Sequence, residues 1–118
     1  MDPKTLKRIV VATDFSELAA DAVDTAVAFA HQSGATLDLV HVAGEMAFAV
    51  PPPLDVVALP VDMPSVMDEA GERMSAVEDR VRAQGVACES NVLVGRADTE
   101  IVGHADRTHS DLIILGTH

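Results

Sequence analysis

With 118 residues, 48% of them hydrophobic, the chain has room for one packed core but not two, and it is too apolar for a disordered tail. Aromatic residues make up only 3%, which excludes base-stacking surfaces and leaves Val, Ala, Leu, Ile and Met to build the interior. A formal net charge of -11, from 8 basic and 19 acidic residues, opposes binding to nucleic acid or an anionic membrane, so any phosphate ligand must be held by backbone N–H groups, a metal ion or a local basic residue.

The opening Met1-Asp2-Pro3-Lys4 is polar and has no basic-then-apolar signal pattern, and no stretch approaches the roughly 20 apolar residues of a membrane span. A cytoplasmic protein without a membrane partner is the expectation. Ile9 to Ala12 is a β-branched run without alternation, which reads as a strand buried on both faces. It runs into Thr13-Asp14-Phe15-Ser16, where Asp14 or Ser16 can cap a helix by accepting from the free N–H groups of its first turn.

Ala19, Ala22, Val23, Ala26, Val27 and Ala30 fall at helical spacing, with Asp21 and Asp24 off the stripe, and Gly34 stands where a left-handed C-terminal cap is expected. A second strand follows over Leu37 to Val42. Regular pattern is lost across residues 44–64, where Pro51, Pro52, Pro53, Pro60 and Pro64 rule out continuous helix or a central strand. This segment is also apolar (Met46, Phe48, Val50, Leu54), as befits a loop that folds over a groove or meets a partner.

A second helix is expected from Ser65, with Asp68 as a capping-box partner and Val66, Ala70, Met74, Val77 and Val81 as its buried stripe. Gly85 ends it, and a third strand runs from Val86 to Val94. A short helix after Gly95 turns Ile101, Val102 and Ala105 to one side, and Asp111 leads into the last strand, Leu112 to Leu115. The order β-α-β-α-β-α-β predicts a single 1–118 domain of α/β class: a doubly wound, open parallel sheet with helices on both faces, Rossmann-like.

Catalytic signatures are missing. No G-x-S-x-G, G-x-G-x-x-G or Walker loop occurs, and Cys88 has no evident histidine partner. Cys88 reads as a small packed hydrophobe and His41 as a core or edge histidine with one hydrogen bond. His104 and His109 are spaced off a common helical face and make a poor metal pair, so no metal ligands are assigned. Glu69, Glu72, Glu78 and Asp79 read as the solvated face of the second helix. No enzymatic activity is expected.

Two segments carry a resemblance. Ile9-Val10-Val11-Ala12-Thr13-Asp14-Phe15-Ser16, followed by the alanine-rich helix, resembles the opening of universal stress proteins. Asp111-Leu112-Ile113-Ile114-Leu115-Gly116-Thr117-His118 resembles their fourth strand and the start of their nucleotide loop, with Leu39-Val40-His41-Val42 at the second strand. The resemblance implies a fold like that of the adenine nucleotide alpha hydrolases and a homodimeric, cytoplasmic domain tied to stress or growth arrest. Its ATP-binding members hold the nucleotide across the ends of strands one, two and four.

Carried onto this sequence, the resemblance implies that Asp14 meets the ribose or a phosphate-bound Mg²⁺, while Ala12 and Thr13 line the site. Val42 would present backbone groups to adenine, and Gly116, Thr117 and His118 would open the loop around the phosphates. In the family that loop continues through further glycines to a Gly-Ser pair, a last helix and a fifth strand. The chain stops at His118, so this C-terminal helix and edge strand are expected to be missing. ATP with Mg²⁺ is the expected ligand and a homodimer the expected assembly. The alternative is a stress-related protein–protein interaction module of the same fold that binds no nucleotide and works through its apolar loop.

Overall fold

Four strands pair in parallel in the computed structural model, which describes residues 6–43 and 63–116. In chain order the elements are β1 (Arg8–Ala12), α1 (Glu17–Ser33), β2 (Thr36–Ala43), α2 (Met63–Ala83), β3 (Cys88–Val94), α3 (Ala97–Arg107) and β4 (Leu112–Leu115). The sheet order is β3-β2-β1-β4, with Val10 level with Asp38 on one side and Ile113 on the other. This is the doubly wound α/β fold expected from the pattern of elements.

Each strand divides its residues between two cores, because successive side chains point to opposite faces. Ile9, Val11, Leu37 and Leu39 meet Ala26, Val27, Met74 and Val81 under α1 and α2. Val10 and Val40 face the other way and meet Ile101 and Ala105 of α3. Each large aliphatic side chain buried this way contributes about 1.5–3 kcal/mol. The first core is far larger, so α3 is the lightly held layer.

The stripe Ala19, Ala22, Val23, Ala26, Val27 and Ala30 is buried as read from the sequence. Ser16 is the cap of α1, its hydroxyl accepting from the Ala19 N–H at 3.2 Å. Gly34 closes the helix in the left-handed region, φ 74°, where a side chain would be strained.

Several boundaries and burials differ from expectation: Val102, read as sharing a side with Ile101 and Ala105, is 61% exposed while those two are buried. Helix α2 begins at Met63, not Ser65, because Pro64 is compatible with a first helical turn, where its missing N–H costs no intrahelical bond. Strand β3 begins at Cys88, later than Val86. Strand β4 is only half covered, with Leu115 51% exposed, since among the described residues it pairs with β1 alone. Residues 44–62 of the apolar segment lie outside the described residues.

Glu78 is not simply part of a solvated face. Its carboxylate is half-buried, accepts from the Ser90 hydroxyl at 3.0 Å and pairs with Arg82 at 2.7 Å, which links α2 to β3. Beside it, burial first and then Glu78 push the Cys88 thiol up to about 12. A thiol in that state holds almost no thiolate at neutral pH. Native Cys88 should therefore resist a disulfide-exchange reagent at pH 8 and react only as the protein unfolds in urea. Modification of the folded protein at the rate of free cysteine would refute this.

Asp38 is the charge inside this fold. It is fully buried on the α3 side of β2, where its Oδ2 accepts from His104 Nε2 at 2.6 Å and from Arg8 Nη2 at 3.2 Å. Its Oδ1 accepts from Asn91 Nδ2 at 2.9 Å. Arg8 also reaches Glu89 at 2.6 Å, while its Nε is buried without a hydrogen-bond partner among the described residues. One carboxylate thereby joins β1, β2, β3 and α3.

Asp111 fastens the start of β1 to the edge. Its exposed Oδ2 accepts from the backbone N–H groups of Lys7 at 2.8 Å and Arg8 at 3.1 Å. The Lys7 hydrogen bond chiefly, then that of Arg8, holds this carboxyl below its ordinary 3.8. A depressed folded value stabilises the protein in full above the ordinary value, and that stability is lost as pH falls through the folded one. Melting curves of wild type and Asp111→Asn should therefore differ at neutral pH and converge below about pH 4. A difference that stays constant into acid would contradict this assignment.

Candidate functional site

The connections from β1 lead to β2 on one side, while β4 adds to β1 on the other. The strand order therefore reverses between β1 and β4, and open α/β sheets bind ligands at the carboxyl ends of strands flanking such a point. Ala12 pairs with Leu115 there, so Thr13 and Asp14 leave β1 beside Gly116 leaving β4. A cleft of about 190 Å³ opens at this place, lined by Ala12, Thr13, Asp14, Val42 and Gly116.

The turn from β1 into α1 is built by its own side chains. Thr13 is buried, and its N–H extends the ladder to the Val40 carbonyl at 2.9 Å. Its hydroxyl accepts from the Phe15 N–H at 3.0 Å, and Asp14 Oδ1 accepts from the Ser16 N–H at 2.9 Å. These bonds hold Phe15 at φ 67°, a left-handed conformation that is uncommon for a side chain of this size. The exposed Asp14 carboxylate is presented at the cleft mouth.

Behind the turn, His41 Nδ1 lies 2.8 Å from the Thr13 carbonyl oxygen. A carbonyl only accepts, so Nδ1 carries the proton. Its ring sits 4.6 Å from that of Phe15, centroid to centroid, and the Arg73 guanidinium lies 5.5 Å over the Phe15 ring. His41 is half-buried with this one hydrogen bond among the described residues, in keeping with the sequence reading.

Gly116 is at the cleft for reasons of space. A methyl group built on its Cα would lie 2.5 Å from the Leu18 carbonyl oxygen and 2.7 Å from its carbon. The end of β4 thus packs directly on the first turn of α1, and that contact sets the width of the cleft.

Five residues singled out in the sequence (Ala12, Thr13, Asp14, Val42 and Gly116) come together here, and Thr117 and His118 lie outside the described residues. Sequence reasoning missed the apolar wall formed by Val40, Ala97, Ile101 and Leu115. Its signal was present, since Ile101 lies on the apolar side of the short helix and Leu115 ends the last strand. Only the packing of α3 shows that these side chains border a cleft. Among the described residues no three His, Cys, Asp or Glu side chains cluster as metal ligands. A second groove of about 180 Å³ runs between α1 and α2, past Asp24, Arg80 and Gln84. It starts at the same β1–α1 turn, with Thr13, Phe15 and Ser16 in its lining, and continues as a seam between the two packed helices.

The family comparison agrees with this geometry. The sequence model of the universal stress protein family matches residues 5–118, and the chain belongs to that family. Among solved structures it is similar to the hypothetical protein MJ0577, with 26% identity, a TM-score of 0.78, and coverage of 96% of this chain and 76% of that one. It is similar too to the universal stress protein UspA of Lactobacillus plantarum, with 24% identity, a TM-score of 0.76, and coverage of 96% and 80%. A universal stress protein in complex with cAMP matches at 24% identity and a TM-score of 0.66, over 92% of this chain and 70% of that one. No curated protein matches the chain. No helix of the described residues is long and apolar enough to cross a membrane.

Proposed function

We propose that this chain is a regulatory domain of the stress response that binds an adenine nucleotide without turning it over. The observation that carries the reading is the convergence of Ala12, Thr13, Asp14, Val42 and Gly116 on one cleft where the strand order reverses. Family membership supports it, as does the fold shared with a universal stress protein that binds cAMP.

The apolar wall of Val40, Val42, Ile101 and Leu115 suits the flat face of a base, and the Asp14 carboxylate suits ribose hydroxyls. ATP is the nucleotide we favour. The described lining offers one carboxylate, Asp14, which fits Mg²⁺ carried in on the phosphates and does not fit a metal resident in the protein. The described lining pairs no Lys or Arg with a general base, which supports a ligand that is held and not hydrolysed. The working form in this reading is a cytoplasmic homodimer, and light scattering showing a monomer at high concentration would refute that part.

Isothermal titration with MgATP tests binding. Saturable heat below about 1 mM is expected, and no heat at that concentration refutes the reading. Incubation with MgATP should release no phosphate above the buffer rate.

A further inference from the structure

Resting on the nucleotide reading, we infer that His104 is a positioning residue for the cleft. Its hydrogen bond to buried Asp38 fixes α3 over β2, and so sets how closely the apolar wall closes on a ligand that His104, which is outside the cleft lining, does not touch.

The first ground is alignment. Asp38, Val40 and Val42 alternate along one face of β2, and Ala97, Ile101 and His104 fall on one face of α3 at helical spacing. His104 meets Asp38 at one end of this contact, while Val40, Val42, Ala97 and Ile101 share the smaller core and border the cleft at the other. At about 1.5 Å of rise per helical residue, the pair stands roughly 10 Å along α3 from Ala97 at the far end of the wall.

The second ground is how little else holds the helix. Its apolar footing is one large side chain, Ile101, with Ala105 and the half-buried Ala97. Among the described residues the His104–Asp38 bond is the side-chain hydrogen bond that ties α3 to the sheet. The side chains of Arg96, Thr99 and Thr108 bond within the helix or beside it.

The third ground is that the anchor is fixed. Asp38 Oδ1 accepts from Asn91 of β3, and Oδ2 also accepts from Arg8 of β1, so the carboxylate cannot follow the helix. Movement of α3 off the sheet breaks the pair and leaves a buried acceptor one donor short. Docking of the helix and completion of the wall are then one event, and a ligand that needs the wall binds the latched state.

Hydrogen exchange and MgATP titration of the full chain, as wild type, His104→Ala and His104→Gln, test this. In His104→Ala the amides of Ile101 and Val102, toward the cleft, should exchange at least about tenfold faster, while those of α1 keep their rates. MgATP affinity should fall at least about fivefold through loss of the latched state. Gln can carry an amide N–H to the place of Nε2, so His104→Gln should restore most of both. By reciprocity, MgATP should slow the Ile101 and Val102 amides of the wild type several-fold, a readout that needs no variant to fold. Unchanged exchange at these amides in His104→Ala, loosening confined to the last turn of α3, or equal loosening of α1 overturns the inference. So does unchanged affinity once α3 has loosened, or a His104→Gln that behaves like His104→Ala. A wild type that binds no MgATP removes the nucleotide reading alone, and exchange at Ile101 and Val102 still decides whether His104 positions the wall.

Discussion

Asp38→Ala should lower the folding free energy by about 3–5 kcal/mol, a large share of the roughly 5–15 kcal/mol that holds a domain together. The carboxylate is the shared acceptor of Arg8, Asn91 and His104. Alanine leaves an amide and an imidazole facing a cavity with no oxygen to accept from them, and leaves the Arg8 guanidinium with Glu89 in place of two carboxylates. The loss should be worse than a simple cavity because Arg8 Nε already lacks a partner among the described residues. Asp38→Asn keeps one oxygen and should cost clearly less. The measurement is the urea midpoint at unchanged m. Hydrogen exchange should show α3 loosening first, because its apolar core is the smaller of the two. A loss under about 1 kcal/mol would mean that water satisfies these groups.

The largest effect on ligand binding is expected from Gly116→Ala. The new methyl would meet backbone atoms, the Leu18 carbonyl at 2.5 Å and the Ala19 nitrogen at 3.0 Å, and backbone inside a helix cannot swing aside as a side-chain tip can. Either β4 or the first turn of α1 must move, at a cost of about 1–3 kcal/mol. Both border the cleft, so nucleotide affinity should fall by at least about tenfold. Gly71→Ala in the body of α2 is the control. A methyl there meets nothing within 4 Å, so the exchange should raise stability by about 0.5–1 kcal/mol and leave binding alone. Equal effects from the two substitutions would show that close packing at Gly116 does not govern the site.

The contrast between these two glycines shows what a sequence conceals. Both are single glycines in a string, and only the neighbour brought up by folding separates a forbidden Cβ from a harmless one. Asp38 passed in the sequence as one residue of the Leu37–Val42 strand and was not singled out. Its partner His104 lies 66 residues away on a helix whose docking no local pattern encodes, so the histidine was weighed only as a metal ligand. The start of α2 was missed because Pro64 breaks a helix interior yet suits a first turn.

Local physics did determine much of this protein from the sequence. The buried stripe of α1, the Gly34 cap, the parallel α/β class and the kinship of the β1 and β4 segments with universal stress proteins were all readable there, because periodicity, caps and short motifs are properties of neighbouring residues. The tertiary structure alone decided that β1 lies between β2 and β4, so that Asp14 and Gly116 share a cleft with an apolar wall from α3. It also decided that the Thr13, Phe15 and Ser16 N–H groups of the β1–α1 turn are hydrogen-bonded within the chain. Strand pairing and hydrogen-bond closure join groups far apart in the chain, and their free energy exists only once the whole sheet has formed.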